Sequence, residues 1–289
     1  MRTARGATVL LAFAAAVGLA RGQGTLCLLP VGDSITQAAT GKTTWRYPLW
    51  KRLVDHGVEA LFAGSMVNHY GESPGTQEQQ DPYRGRAFPP HHEGHAGWRT
   101  DEVLRKIDQW METYACAPTC VLIHLGTIDM CQGDTAGSTI AELEELIGKL
   151  VGRFQTNVSN MTFLVAEPIP SCCSQVGFRL SPAIKSHYWS SDASGVKVET
   201  VDMVSGFDRN CFLYDGCHPN AAGDDFMAER WFGSVAQHCV EMVTSISTSA
   251  TPPVAITCAA SAASIHWSGG LAAVCFVAAL NSITRANNA

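Results

Sequence analysis

The sequence predicts an α/β fold with a mostly parallel sheet that is covered by helices on both faces. Two observations lead to this prediction. Short apolar runs alternate along the chain with segments of helical periodicity, which is the order typical of parallel sheets. The 289 residues are also 46% hydrophobic and only 16% charged, so the chain can bury a substantial core around such a sheet.

The first half of the chain contains three predicted strands and two predicted helices. The strands are the apolar runs at 25–31, 58–63 and 120–125. The helices span 47–56 and 101–114. Gly57 ends the first helix. Thr100 is the predicted N-cap of the second, in which Asp101 and Glu102 lie where the helix dipole favours negative charge.

The second half repeats the alternation. Two further strands are predicted at 161–166 and 196–201, and a closing helix at 221–243. Between them, apolar residues three and four apart form one face of an amphipathic helix: Ile140, Leu143, Leu146, Ile147, Leu150, Val151 and Phe154. Ligands of such folds bind beyond the carboxyl ends of the strands, and Ser34 follows the first strand at such an edge.

The N-terminal segment predicts export. Arg2 and Arg5 precede an apolar run over 7–20, and a small-x-small pattern follows, so residues 1–22 are predicted to be a secretory signal peptide. An N-terminal membrane anchor is the alternative, although the apolar run is short for a membrane span. The protein is therefore expected to be secreted.

The C-terminal segment, 244–289, is predicted to be a Ser/Thr/Ala-rich linker with a short apolar tail. Small residues and an apolar run over 269–280 resemble a GPI signal, which would give weak membrane association. The polar end at 281–289 argues against that signal and for an unstructured tail.

Eleven cysteines agree with export, because most cysteines pair in an oxidising compartment. The odd number leaves at least one unpaired or removed by processing. Cys116 and Cys120 have a spacing seen in zinc sites, but no second Cys/His pair of suitable spacing follows, so disulfides are predicted. The adjacent Cys172 and Cys173 are each expected to pair with a different distant partner.

Two further features concern the partners of the protein. Asn157 and Asn160 begin two N-glycosylation sequons that lie close together, which predict a glycoprotein. The net charge is −6 and the sequence pI about 5.9. Because no basic surplus is available to neutralise phosphates, nucleic acid is not an expected partner.

Ser34 and His218 are the candidate nucleophile and base. Ser34 follows directly on the first strand, and Gly32 allows a sharp exit from that strand. A serine hydroxyl needs a base to remove its proton, and a histidine oriented by a carboxylate suits this role. Asp215 precedes His218 by three residues, so one loop can bring carboxylate and imidazole together. Alternatively, His218 is a loop histidine that bonds to backbone.

Four segments resemble those of a known superfamily. Residues 32–36, Gly-Asp-Ser-Ile-Thr, resemble block I of the SGNH (GDSL-type) hydrolases, and residues 215–220, Asp-Gly-Cys-His-Pro-Asn, resemble their last block. Residues 92–98 resemble the block that supplies a backbone oxyanion donor. The string over 46–50 and the arrangement of the rest are similar to carbohydrate esterase family 3, which includes acetyl xylan esterases. The resemblance covers about residues 25–240.

The resemblance implies a three-layer α/β/α sandwich, flavodoxin-like in style, over an esterase domain at 23–243. It implies that Ser34 attacks an ester carbonyl and that His218 acts as general base and then general acid. Asp215 would orient His218, and the backbone N–H groups of Ser34 and Gly97 would bind the oxyanion. It implies no metal or organic cofactor. The implied substrate is an acetylated polysaccharide, with lipid or phospholipid esters as the alternative.

One block departs from the family pattern. Where the family has Gly-x-Asn-Asp, this chain has Ile128 in the asparagine position and therefore lacks the amide donor for the oxyanion. Loss of one such donor costs roughly 10²–10³ in turnover. Thr127 is expected to point to the other side of an extended segment. The departure leaves two hypotheses: an esterase with a weakened oxyanion hole, or a catalytically impaired carbohydrate-binding domain.

A metal site is an alternative for the histidines between the two predicted catalytic segments. His91 and His95 are four residues apart, with His92 and Glu93 between them, and this spacing suits two ligands only on a helix. Prolines and glycines over 89–97 indicate a loop instead. No metal site is therefore predicted.

Overall fold

The computed structural model describes residues 25–73, 76–154, 161–189 and 196–240. No helix within these ranges is both long enough and apolar enough to cross a membrane. The predicted signal peptide, linker and apolar tail lie outside the described residues, as do the sequons at Asn157 and Asn160.

The sheet is parallel in every strand pairing of the described residues. Its strands are β1 (Leu26–Gly32), β2 (Ala60–Phe62), β3 (Glu93–Gly94), β4 (Cys120–His124), β5 (Thr162–Glu167) and β6 (Lys197–Asp202). Five of them have the order β2-β1-β4-β5-β6, and the short β3 pairs with the carboxyl end of β1. The predicted α/β class with a mostly parallel sheet is confirmed.

Helices cover both faces of the sheet and complete three layers. They are α1 (Ser34–Gln37), α2 (Arg46–Asp55), α3 (Thr100–Trp110), α4 (Thr127–Gln132), α5 (Ala136–Phe154), α6 (Ser181–Ser186), α7 (Arg209–Phe212) and α8 (Ala221–His238). The apolar residues of α3 and α5 share one core cluster, and those of α2 and α8 share another.

β1 shows how the sequence separates the two cores. Every residue of this strand is buried, as in parallel strands that are covered on both faces. Because successive side chains point to opposite faces, Leu28 packs in the cluster of α2 and α8, and Leu29 packs in that of α3 and α5. Trp45 and Trp231, with ring centroids 5.4 Å apart, fill the α2/α8 layer.

The start of α3 differs from the prediction. Thr100 is the first residue of this helix, and Arg99 occupies the N-cap, so the prediction of Thr100 as the cap was wrong. The carboxylate of Glu102 accepts the N–H of Arg99 at 3.0 Å, and that of Asp129 accepts the N–H of Thr100 at 3.0 Å. The N–H of Thr100 is therefore bound by a carboxylate that is distant in sequence, which the local sequence does not predict.

The strand order places a crevice at the carboxyl end of β1. The chain passes from β1 to β2 on one side and later continues to β4 on the other, so the order reverses between β1 and β4. In open α/β sheets such a reversal is where ligands bind. α1 and α4 begin directly beyond these two strands.

Gly32 allows α1 to pack closely against the end of β1. A Cβ atom at this position would lie 2.1 Å from the Oγ1 atom of Thr36 and 2.9 Å from the carbonyl oxygen of His124. The glycine is therefore required for the close approach of α1 and β4, which holds the first turn of α1 at the sheet edge.

Four disulfides link described residues: Cys27–Cys116, Cys120–Cys239, Cys131–Cys173 and Cys172–Cys217. The adjacent Cys172 and Cys173 thus pair with different distant partners, as predicted. Cys116 and Cys120 also belong to different disulfides, which removes the basis for a zinc site between them.

Candidate active site

Ser34 is the first residue of α1 and lies directly beyond β1. Its neighbour Asp33 is the N-cap, and the Oδ1 atom of Asp33 accepts the N–H of Ile35 at 2.8 Å. Burial raises the pKa of Asp33 to about 6, and the N–H of Ile35 opposes this rise. Asp33 is fully buried and holds the turn, which leaves Ser34 as the partly exposed hydroxyl at the strand end.

Three side chains form a continuous hydrogen-bonded chain at this edge. The Oγ atom of Ser34 lies 2.9 Å from the Nε2 atom of His218. The Nδ1 atom of His218 lies 2.8 Å from the Oδ2 atom of Asp215. When Nδ1–H donates to this carboxylate, Nε2 is left with a lone pair that accepts the hydroxyl proton of Ser34.

Asp215 is suited to remain charged beside the imidazole. Burial pushes its pKa upward, but hydrogen bonds from the N–H and imidazole of His218 and from the N–H of Cys217 outweigh burial. The pKa of Asp215 is therefore below the usual value for an aspartate. The group stays ionised at neutral pH, where it holds the ring and favours a proton on it.

The loop that carries Asp215 and His218 is closed by its own backbone. Leu213 and Pro219 form a bridge across its base, and the N–H of Tyr214 donates to the carbonyl of His218 at 3.0 Å. Asn220 then caps α8, since its side chain accepts the N–H groups of the first turn. His218 is thus held between a closed loop and a fixed helix start.

Backbone around Gly97 faces the same edge. The N–H of His95 donates to the carbonyl of Gly32 at 2.9 Å, and that of Ala96 donates to the side chain of Gln37 at 2.9 Å. Gly97 follows with φ +79°, a conformation that favours glycine. Among the described residues, none accepts the N–H of Ser34 or of Gly97. These two donors remain available to an oxyanion.

Ile128 lies in the first turn of α4, so the expectation of an extended segment here was wrong. Thr127 is buried and its hydroxyl has no hydrogen-bond partner among the described residues, whereas the carboxylate of Asp129 accepts the N–H of Thr100. Asp129 is therefore engaged at the start of α3 and does not supply the missing donor. Ile128, between these two residues, is buried and brings no hydrogen-bond donor.

Two of the three histidines before Gly97, His92 and His95, are engaged in structural contacts. His92 is fully buried and bonds through Nε2 to the carbonyl of Asn68, and the Nε2 atom of His95 lies 2.6 Å from the carboxylate of Glu93. Across the described part of the chain, the one cluster with three potential metal-binding atoms within 4.8 Å of one another is Cys131, Cys172 and Cys173. All three of these cysteines are disulfide-bonded.

The Cys172–Cys217 disulfide ties the loop of the two catalytic candidates to the segment after β5. Cys217 lies between Asp215 and His218, and its N–H donates to the Oδ1 atom of Asp215 at 2.9 Å. The double variant Cys172→Ala/Cys217→Ala is expected to lower kcat roughly 10- to 100-fold, because small misplacements of a catalytic group are that costly. Steady-state kinetics below the melting midpoint measure this loss.

The matched control is Cys27→Ala/Cys116→Ala, which opens a disulfide at the start of β1, at the opposite end of this strand from Ser34. Each disulfide is expected to contribute about 4 kcal/mol of stability, since both close long loops. Both double variants should therefore melt earlier, but only the first should lose kcat. An equal fall in kcat for both pairs would show that Cys172–Cys217 acts on the whole fold.

Comparison with known proteins relates this fold to esterases. The carbohydrate esterase family 3 structure from Talaromyces cellulolyticus is 25% identical, covers 73% of this chain and 97% of its own, and superposes with a TM-score of 0.58. The family 3 carbohydrate esterase from Clostridium thermocellum is 24% identical, covers 73% of this chain and 96% of its own, and has a TM-score of 0.55. No family model matches the sequence.

A multidomain esterase from Ruminococcus flavefaciens is 23% identical over 236 residues. The match covers 75% of this chain but only 29% of that protein, so the present chain corresponds to one part of it. In fold the chain is similar to esterases of carbohydrate esterase family 3, and in sequence it is similar to part of a multidomain esterase.

Proposed function

We propose that this protein is a secreted serine esterase that hydrolyses carboxylic esters, with O-acetyl groups on polysaccharide as its substrates. The observation that carries the proposal is the hydrogen-bonded chain from Asp215 through His218 to Ser34. The esterase names of the similar proteins support the reaction class, and the carbohydrate esterases among them support the substrate class.

In the proposed mechanism, the Oγ atom of Ser34 attacks the ester carbonyl carbon while its proton passes to Nε2 of His218. The negative charge that develops on the carbonyl oxygen is bound by the N–H groups of Ser34 and Gly97. The C–O bond to the alcohol then breaks as His218 returns the proton to the leaving oxygen. Water, deprotonated by the same imidazole, hydrolyses the acyl-serine and restores the free enzyme.

Export is part of the proposal. The signal peptide predicted at 1–22 would direct secretion, and the disulfides among described residues support an oxidising compartment. The predicted apolar tail at 269–280 would add weak membrane association.

Active-site labelling tests the proposed nucleophile. We expect the secreted protein to hydrolyse p-nitrophenyl acetate and a fluorophosphonate to abolish this activity by forming one covalent adduct. Peptide mass spectrometry should place the adduct on Ser34. Folded protein that neither turns over the ester nor reacts with the fluorophosphonate would contradict the proposal, and an adduct on another serine would reassign the nucleophile.

A second candidate function is carbohydrate binding with little or no turnover, and Ile128 is the observation that favours it. A binding domain would hold acetylated glycans with an affinity that Ser34→Ala leaves unchanged. Calorimetric titration of an acetylated xylo-oligosaccharide, beside the hydrolysis assay, separates the two functions. Binding without ester hydrolysis would support the second.

A further inference from the structure

The proposed mechanism fixes where the alcohol half of the ester lies. His218 returns its proton from Nε2 to the leaving oxygen, so that oxygen must come within hydrogen-bond reach of Nε2. For a polysaccharide ester, the leaving oxygen belongs to a sugar ring. The exposed side chains that flank His218 are therefore the candidates for contact with this sugar.

Tyr214 flanks His218 on the same loop. Its ring is stacked against the imidazole, with centroids 5.9 Å apart and planes inclined by 20°. The side chain is 41% exposed, which makes it one of four exposed large hydrophobic residues among those described. A phenol ring held by its neighbour offers a rigid apolar surface with a polar tip at little entropic cost, which suits packing against the C–H face of a sugar.

Lys42 approaches the same aromatic ring from the segment after α1. Its Nζ atom lies 4.4 Å from the centroid of the Tyr214 ring. The flanking backbone is fixed, because the hydroxyl of Thr40 donates to the carbonyl of Tyr70 and that of Thr43 donates to Asp224. No carboxylate of the described residues lies within 4.0 Å of the Lys42 ammonium group. This cation is therefore available to a ligand.

The two acidic groups near Tyr214, Asp215 and Asp224, already have hydrogen-bond partners. The carboxylate of Asp215 holds His218. Asp224 is buried under the hydroxyl of Thr43, and burial raises its pKa to about 7. Asp215 is exposed, but both of its carboxylate oxygens already accept hydrogen bonds from the loop, whereas the positive charge of Lys42 has no carboxylate partner among the described residues.

We propose that Tyr214 and Lys42 form the leaving-group subsite and select acetyl esters on polysaccharides that carry uronic acid residues. The sugar contacts the exposed part of Tyr214, and the uronate carboxylate pairs with the Lys42 ammonium group that lies over this ring. The inference rests on the proposed esterase function and names its substrate class more closely. A neutral acetylated xylan would fill the same apolar surface but leave Lys42 unpaired.

The test compares kcat/KM for acetylated oligogalacturonide and for acetylated neutral xylo-oligosaccharide. In the wild type we expect a preference for the acidic substrate, which 0.5 M NaCl weakens because salt screens an exposed pair. Lys42→Gln should lower the acidic-to-neutral ratio roughly two- to fivefold, which is the upper range of one exposed charge pair. Tyr214→Ala should lower kcat/KM for both sugars, and Tyr214→Phe should restore it.

Lys51→Gln is the matched control. The Nζ atom of Lys51 also lies over an aromatic ring, 4.7 Å from the centroid of Tyr47, but on α2 rather than beside His218. This variant should keep the wild-type substrate ratio. A ratio that changes equally in Lys42→Gln and Lys51→Gln would overturn the subsite in favour of a general charge effect.

A binding measurement separates this inference from the esterase function. In a Ser34→Ala background, calorimetry should give tighter binding for the acidic oligosaccharide than for the neutral one, and Lys42→Gln should remove the difference. Equal binding of both sugars, with Ser34-dependent hydrolysis of p-nitrophenyl acetate intact in the parent, would overturn the inference and leave the function standing. Absence of ester hydrolysis in the parent would remove the function on which the inference rests.

Discussion

Ser34→Ala is expected to lower kcat for p-nitrophenyl acetate roughly 10⁴- to 10⁶-fold, because it removes the nucleophile that the acyl intermediate requires. The fold should be retained. Ser34 is the first residue of α1, alanine is favourable in helices, and the cap at Asp33 does not use the serine side chain. Steady-state kinetics and a melting curve measure the two quantities. Ser186→Ala, on the exposed end of α6, controls for the loss of a serine hydroxyl as such.

The triad is also expected to act as a unit. Once the nucleophile is gone, its base has nothing left to deprotonate, so Ser34→Ala/His218→Ala should be no slower than Ser34→Ala alone. The Asp215→Asn variant should keep the loop but lose the charge that holds the imidazole, and its kcat should also fall. Substantial turnover by Ser34→Ala would show that another group carries the reaction.

The sequence predicted the sheet well because its strands are buried on both faces. An apolar run such as that of β1 indicates a buried segment. The bounds of this strand were predicted to within one residue. The start of α3 was not predictable from the local sequence. The sequence predicts Thr100 as the N-cap, but Thr100 is the first residue of the helix. Its N–H donates to the carboxylate of Asp129 on α4. Local patterns do not contain such tertiary partners.

The same distinction applies to the site. Asp215 and His218 could be paired from their spacing, because two side chains three residues apart can meet within one loop. Ser34 is 184 residues away from His218, and only the family resemblance joined them before the structure placed their atoms 2.9 Å apart. Tyr214 and Lys42 do not belong to any of the motifs identified in the sequence. Their relation to His218 follows from how the loops fold, so it required the structure.

Ile128→Asn is expected to raise kcat roughly 10²- to 10³-fold, equivalent to about 3–4 kcal/mol of transition-state stabilisation. Residue 128 lies in the first turn of α4, which begins directly beyond β4, the strand that pairs with β1, and therefore at the same sheet edge as Ser34. An asparagine at this position can provide a third hydrogen-bond donor for the oxyanion, beside the N–H groups of Ser34 and Gly97. The measurement is kcat for p-nitrophenyl acetate in the variant and the parent.

The change should lower stability while it raises activity. Ile128 is buried, so its replacement by an amide loses about 1–3 kcal/mol of apolar burial, and the melting midpoint should fall. Ile128→Asp is the matched control, because an ionised carboxylate has nearly the same shape but no N–H to donate. It should lose stability without gaining turnover. If Ile128→Asn folds and is no faster than the parent, the amide does not reach the oxyanion. The hypothesis that Ile128 slows the enzyme by weakening the oxyanion hole would then be wrong.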